Sequence, residues 1–263
     1  MLVAQRHKVT DFHGIIMYRK DYQERDLLVK MLTLEHGKKM FFVRGAKKRG
    51  FKLTGDILPF TYGHYVGDIR EEGLSYVNAS KATEHFSHIS EDIFKNAYAT
   101  YIMSLLDFAF PDSEPIPEWY DKLHAGMGLI DQGLDAAVIA NIFEVQLLPV
   151  FGVQPELRGC VICGESKPPL DYSESYGGLL CPRHYHMDPR RLHLDQRTVF
   201  YLRQFSVLDL ATLNSIAVKT ETKKHLRRFL DQIYNDTVGV HPKSKRFIDQ
   251  MNEWESPLTP DSD

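Results

Sequence analysis

The chain has only three cysteines, and all of them fall in one short window, CVICGESKPPLDYSESYGGLLCPRH, that begins at Cys160 and ends at His184. The spacing is Cys160-x2-Cys163-x17-Cys181-x2-His184. Two knuckle-like pairs separated by a loop are what a flexible peptide needs to surround a tetrahedral Zn2+, because a two-residue gap lets both side chains of a pair turn onto one ion. Four protein ligands leave no open coordination position, so the zinc is expected to be structural. Between the pairs lie Gly164, Pro168, Pro169, Gly177 and Gly178 and little apolar material. That segment therefore needs a metal to order it. His186 and His193 are alternative fourth ligands to His184. Competing readings are incidental thiols, a redox Cys-x-x-Cys, for which no βαβ context surrounds Cys160, and a zinc deaminase. The last requires His-x-Glu ahead of Pro-Cys-x-x-Cys, an order this window lacks.

A second chemistry-bearing stretch is KKMFFVRGAKKRGFK, residues 38–52, with seven basic residues and no acidic one. Lys38 and Lys39 open it. Arg44 begins a turn, which leaves open the side of the strand it faces, and Lys47, Lys48, Arg49 and Lys52 follow Gly45. Cations on a loop could track phosphates and release counterions, giving affinity without sequence preference. The plain alternative is a solvated charged loop. Of Phe41 and Phe42, adjacent in the run, at least one is expected in a core and not on a stacking surface. A further cluster, Lys219, Lys223, Lys224, Arg227 and Arg228, shares helical faces at four-residue spacing, with Lys243, Lys245 and Arg246 close behind. It is read as the wet face of a packed helix, with a longer DNA path as the other possibility. No phosphate-binding glycine loop, nucleophile elbow, His-Glu-x-x-His or dinucleotide fingerprint is present.

These groups need elements to position them. From Lys8 to about Ala79 run five short strand-like segments, FHGIIMY, DLLVKMLTL, KMFFVRG, DILPFTYGHYV and LSYVNA. Five short β segments in so few residues fit a small closed or nearly closed barrel, an SH3-like barrel being the nearest competitor. At Ser90 the grammar turns helical: Ser90-Glu91-Asp92 supplies a cap, and Ile93, Ala97, Tyr98, Tyr101, Ile102 and Leu105 recur at helical spacing. Further helices are expected from Pro117, over 134–148, over 195–210 and over 220–234. The last residues, ESPLTPDSD, read as a disordered tail.

Apolar content of 43% and charged content of 25% place the chain among soluble globular proteins. Net charge is only −3, but residues 1–80 hold 14 basic against 9 acidic residues and residues 81–150 hold 3 against 11. The asymmetry implies that the first segment has a job of its own. The N-terminus has no secretory pattern, and the most apolar run, from Ala136, contains Glu144 and Pro149 and falls short of a span of about 20 apolar residues. A cytoplasmic protein with no membrane contact is expected, and in that compartment a disulfide framework is not.

The succession GIIMYRKDYQERDLLVKMLTLEHGKK, FFVRGAKKRGFKLTGDILPF, EVQLLPVFGVQPELRGCVICG and YGGLLCPRHYH resembles the RecO family of bacterial recombination mediators, over the chain up to about residue 250. The resemblance implies an α+β multidomain protein: an N-terminal OB-fold β-barrel followed by an α-helical domain with an inserted zinc-binding module. Its boundaries would be 1–80 for the OB-fold, 81–158 and 189–250 for the two parts of the helical domain, 159–188 for the zinc module and 251–263 for a flexible tail. It also implies binding of single- and double-stranded DNA, annealing of complementary strands, partnership with RecR and with the C-terminal tail of the single-stranded-DNA-binding protein, and, indirectly, loading of RecA. Family members are not known as enzymes. On this resemblance Lys47, Lys48, Arg49 and Lys52, with Arg44, Lys38 and Lys39, become the expected DNA-binding set. Zinc-bearing relatives usually show Cys-x-x-Cys twice; here His184 stands where the fourth cysteine would. The alternative reading is a zinc-stabilised scaffold for protein partners with secondary DNA contact; a third is a zinc enzyme.

Overall fold

The computed structural model describes residues 9–71 and 73–255. Two compact units emerge, Met1–Met103 with Phe110–Gln132, and Ser104–Ala109 with Gly133–Asp263.

The first unit is built on β1 (Val9–Tyr22), β2 (Asp26–Thr33), β3 (Gly37–Val43), β4 (Thr61–Asp68) and β5 (Ser75–His85). The strands pair in the circuit β1-β2-β3-β5-β4 and back to β1. Four seams are antiparallel and long, whereas β3 meets β5 through only two parallel pairs, Phe41↔Ser75 and Phe42↔Tyr76. This is the partly open, OB-like arrangement of a five-stranded barrel. β5 continues to His85, past the boundary expected at residue 80.

Strand alternation selects the core. Phe12, Ile16, Val29, Met31, Phe41 and Tyr65 are buried together in the barrel, with the Phe12 and Phe41 rings stacked 5.2 Å apart. Each such side chain contributes roughly 1.5–3 kcal/mol by leaving water. Residues 56–60, expected to extend the fourth strand, form turns instead, and Ile57 plugs the barrel core from that loop. β2 is buried along nearly its whole length because its outer face is covered too. The residue 112–113 segment bridges to Lys38, Ser113 N–H donates to the Lys38 carbonyl at 2.9 Å, and Lys30 Nζ donates to both Asp112 carboxylate oxygens at 2.6 and 2.7 Å.

Helices α1 (Ser87–Glu91), α2 (Ile93–Ala109) and α3 (Pro117–Asp131) follow. The cap of α2 is Asp92, accepting from the Phe94 and Lys95 N–H groups; Ser90 instead bonds the His85 ring at 2.8 Å. The second unit holds α4 (Ala136–Leu147), capped by Asp135 and buried nearly all round, then α5 (Gln196–Phe205), α6 (Thr220–Ile233) and α7 (Lys243–Glu255). α5 stops at Phe205, five residues short of the expected end. α7 reaches Glu255, into the stretch expected as a tail; the rest of that tail lies outside the described residues. Among the described residues no helix is long and apolar enough to cross a membrane.

Candidate metal centre and nucleic-acid surface

Between α4 and α5 a three-stranded sheet, order β6-β8-β7, presents the cysteine window: β6 (Glu156–Cys160), β7 (Asp171–Ser173) and β8 (Gly178–Leu180). Cys160 ends β6 and starts a tight knuckle in which the Cys160 N–H donates to the Glu165 carbonyl and the Gly164 N–H to the Cys160 carbonyl, both at 2.8 Å. Gly159 is required here, since a Cβ would lie 2.9 Å from the Gly164 oxygen. Cys181 follows β8 and leads into a 3-10 turn, Pro182–Met187, whose first bond runs from His184 N–H to the Cys181 carbonyl at 2.8 Å. The four side chains converge: the Cys160, Cys163 and Cys181 sulfurs and a His184 ring nitrogen lie within 4.8 Å of one another. His184 Nδ1 is 3.4 Å from both Cys160 Sγ and Cys181 Sγ, and the Cys163 and Cys181 sulfurs are 3.8 Å apart. This group could hold a metal ion.

Burial disfavours the Cys160 thiolate, but N–H groups of Cys163, Ile162 and Cys181 and the His184 ring outweigh it and bring the thiol down to about 6. At Cys163 the Glu165 N–H pulls downward, yet burial and the neighbouring Cys181 and Cys160 sulfurs push the thiol up on balance. The alternative ligands are elsewhere: the His186 ring is 6.5 Å from that of His184, and the His193 backbone N–H is engaged by Asp171. Asp171 is buried and also accepts from the Leu194 N–H and pairs with Arg191 at 2.8 Å, so it ties the end of the module to its sheet. From α5, Arg203 donates to the Ser166 and Arg158 carbonyls at 3.0 and 2.9 Å, and Tyr172 packs edge-on against Phe229 of α6. Arg203 and Asp171 are supports that sequence spacing could not reveal.

In the first unit, the expected DNA-binding set separates into two groups. Lys38 and Lys39 are 1% and 5% exposed and are removed from any surface role. Lys38 Nζ sits 3.6 Å from Asp112, and Lys39 Nζ donates to the Arg70 carbonyl at 2.5 Å. Burial lowers the Lys39 amine below its usual range, with Asp112 and Glu71 opposing. The reason is the segment around residue 112 that covers this end of β3. Arg44, Lys47, Lys48, Arg49 and Lys52 are all exposed. Their loop is set by Gly45, at φ +67, whose N–H donates to Asp26 at 2.6 Å, and by the Lys47 N–H, which donates to the Arg25 carbonyl at 3.1 Å.

That loop closes over an open groove of about 680 Å³ lined by Arg19, Lys20, Asp21, Leu27, Ala46, Lys47, Lys48, Gly50 and Thr54. Two cations that sequence reasoning passed over, Arg19 and Lys20 of β1, thus join the loop. The adjacent Arg-Lys at a strand end was the available signal. Lys47 pairs with Asp21 at 2.6 Å, whereas Lys48, Arg49 and Lys52 have no ion-pair partner among the described residues. In the second unit the helical cluster divides by face. Lys223 pairs with Asp135 at 2.7 Å and Arg227 grips the fully buried Glu144 with two bonds of 2.7 Å, while Lys224 and Arg228 are exposed.

Family models match nearly the whole chain: Recombination protein O N terminal over residues 8–86 and Recombination protein O C terminal over residues 90–246. The chain is 61% identical over 255 residues to the DNA repair protein RecO of Levilactobacillus brevis, covering 97% of this chain and 98% of that one. It is 59% identical over 252 residues to the protein of the same name from Lactiplantibacillus plantarum, with 96% and 98% covered. To that of Enterococcus faecalis it is 46% identical over 245 residues, with 93% and 94% covered. An OB-like barrel, a helical unit carrying a Cys3His cluster, and matches of this extent together establish that the chain belongs to the RecO family of recombination and DNA repair proteins.

Proposed function

We propose that this protein is a recombination mediator that binds single- and double-stranded DNA through the first unit, anneals complementary strands, and acts with RecR to help load RecA onto DNA coated by the single-stranded-DNA-binding protein, whose C-terminal tail it also binds. The observation that carries the DNA-binding part is the groove at the barrel end, where Lys47 and Lys48 from the loop meet Arg19 and Lys20 from β1. Arg49, Lys52 and Arg44 extend the same positive surface. Exposed cations carried on a folded barrel neutralise phosphates, and the affinity they supply falls with salt. The RecR, tail and RecA roles rest on family membership.

The metal is proposed to be Zn2+ in a structural role. With zinc–sulfur bonds of about 2.3 Å and zinc–nitrogen bonds of about 2.0–2.1 Å, a tetrahedron has sulfur–sulfur edges of about 3.8 Å and sulfur–nitrogen edges of about 3.5 Å. Three of the six separations match these edges, 3.8 Å for Cys163–Cys181 and 3.4 Å for His184 to each of Cys160 and Cys181, and all four donor atoms lie within 4.8 Å of one another. The donor set is complete with four protein atoms, which favours a structural ion over a zinc enzyme.

Fluorescence anisotropy of labelled single- and double-stranded oligonucleotides, titrated at several salt concentrations, tests the DNA surface. Changing Lys47, Lys48, Arg49 and Lys52 together to alanine is expected to flatten the log-log salt slope and to cost at least tenfold in affinity at low salt. An unchanged slope would place the DNA surface elsewhere.

A further inference from the structure

The outer face of the barrel carries aromatic rings where a solvent-facing sheet surface ordinarily carries polar side chains. Lys20 pairs with Leu28, Leu28 with Phe42, and Phe42 with Tyr76, so these four side chains stand in one row on one face, across β1, β2, β3 and β5. This is the face opposite the one that sends Val29 and Phe41 into the core. Tyr22, two residues beyond Lys20, shares that face and meets Phe42 edge-on at 5.8 Å; Phe42 meets Tyr76 edge-on at 5.7 Å. Leu28 is buried beneath them, but Tyr22 is 38% exposed and Phe42 and Tyr76 are only half-buried.

Cations border the row. The Arg70 guanidinium lies over the Tyr76 ring at 4.6 Å from its centroid, Lys20 is exposed at one end, and Arg44 follows directly from β3. Lys39, buried, holds the Arg70 carbonyl and so fixes the backbone that carries this guanidinium. Adjacent rings bordered by positive side chains match a ligand of flat apolar groups joined by negative charges, which is an unpaired nucleic-acid strand. A duplex hides its base faces in its own stack and offers such a row nothing but phosphates.

We propose that Tyr22, Phe42 and Tyr76 form a base-stacking platform that selects single strands, with Lys20, Arg44 and Arg70 holding the adjoining phosphates. The proposal rests on the DNA-binding reading above and adds to it the basis of discrimination between strand states. It adjoins the loop groove, with which it shares Lys20, and adds stacking to a groove that reads charge alone.

The test compares the full-length protein binding a fluorescein-labelled fifteen-thymidine oligonucleotide with an abasic phosphodiester of equal length, by anisotropy at fixed salt. The wild-type chain is expected to prefer the thymidine strand about tenfold or more, the scale of one or more stacked bases. Tyr22→Ala, at the most exposed ring, and separately Phe42→Leu and Tyr76→Leu, are expected to remove most of that preference while leaving affinity for the abasic strand and its salt slope unchanged. The loop variant should lower both affinities alike. Equal binding of the two strands by the wild-type chain, or a preference that survives in a folded Tyr22→Ala protein, would overturn the platform and leave the charge-reading groove standing. Failure to bind either strand at low salt would overturn both.

Discussion

Asp26, at the head of β2, accepts a 2.6 Å hydrogen bond from the Gly45 N–H, and this bond sets the direction in which the basic loop leaves β3. A single carboxylate oxygen thus positions a run of cations. Asp26→Asn keeps an acceptor at that point and removes a negative charge beside the groove, so DNA affinity should hold or rise. Asp26→Ala removes the same charge but frees the loop. Its affinity should fall about threefold to tenfold despite the more positive surface, and a rise measured by anisotropy would show that charge outweighs positioning.

Lys39 and Lys48 are both lysines of the basic stretch, yet their losses should read out differently. Lys39→Ala leaves the Arg70 carbonyl without its buried donor and should cost about 1–3 kcal/mol of stability in denaturant unfolding. Lys48→Ala, at an exposed site, should leave stability within about 0.5 kcal/mol and lower the salt slope.

Metal content separates the histidines. The purified protein should carry one zinc per chain by elemental analysis, and chelation should lower the temperature at which the second unit unfolds. His184→Ala should lose the ion or bind it far more weakly, whereas His186→Ala should keep it, because only the His184 ring nitrogen faces the sulfurs. Retention of full zinc by His184→Ala would assign the fourth ligand elsewhere.

Arg227 and Arg228 are sequence neighbours on α6 with opposite situations. Arg227→Ala removes the guanidinium that grips the fully buried Glu144 carboxylate and should cost about 3–5 kcal/mol, whereas Arg228→Ala, on the exposed face, should change stability by less than about 0.5 kcal/mol. Urea titrations of the two variants check this. Comparable effects would contradict the pairing.

Asp195 caps α5 by accepting from the Arg197 and Thr198 N–H groups and meets the His225 ring at 2.6 Å. Burial works against its charge, but bonds from the Thr198 hydroxyl, His225 and the two backbone N–H groups bring the carboxyl down to about 2 from 3.8. A carboxyl lowered on folding stabilises the folded state above its unfolded value and loses that contribution as pH falls through the folded one. The difference in melting temperature between the wild-type chain and Asp195→Asn should therefore shrink as pH falls between about 4 and about 2. A gap that persists at the acid end would assign the cap a role independent of charge.

Much of this protein is legible locally. The cluster of Cys160, Cys163, Cys181 and His184 was identifiable as a candidate because a metal site built from two close pairs would impose its spacing on the chain itself. The helices over 117–131 and 220–233 announced themselves through Pro117 at a first turn and through apolar periodicity. Several acids of the 81–150 surplus serve the fold itself: Asp92 and Asp135 cap helices, Asp112 pairs with Lys30, and Glu144 holds Arg227.

Residue types and spacing by themselves determined the family resemblance, the three cysteines of the candidate ligand set and the existence of a basic loop after a strand, since each depends on neighbours along the chain; that His184, and not His186 or His193, joins those cysteines came from the fold. Only the tertiary structure decided which cations face solvent. Strand alternation assigns Lys38 and Lys39 to opposite faces, but both are buried, the first against Asp112 and the second beneath the Arg70 backbone, because segments distant in sequence fold over that end of β3. Arg19 and Lys20 join Lys47 and Lys48 for the converse reason, since strand pairing and the fold of the loop bring residues nearly thirty positions apart to one groove. Pairing between distant strands is a free-energy balance over the whole barrel, and no single window of sequence contains it.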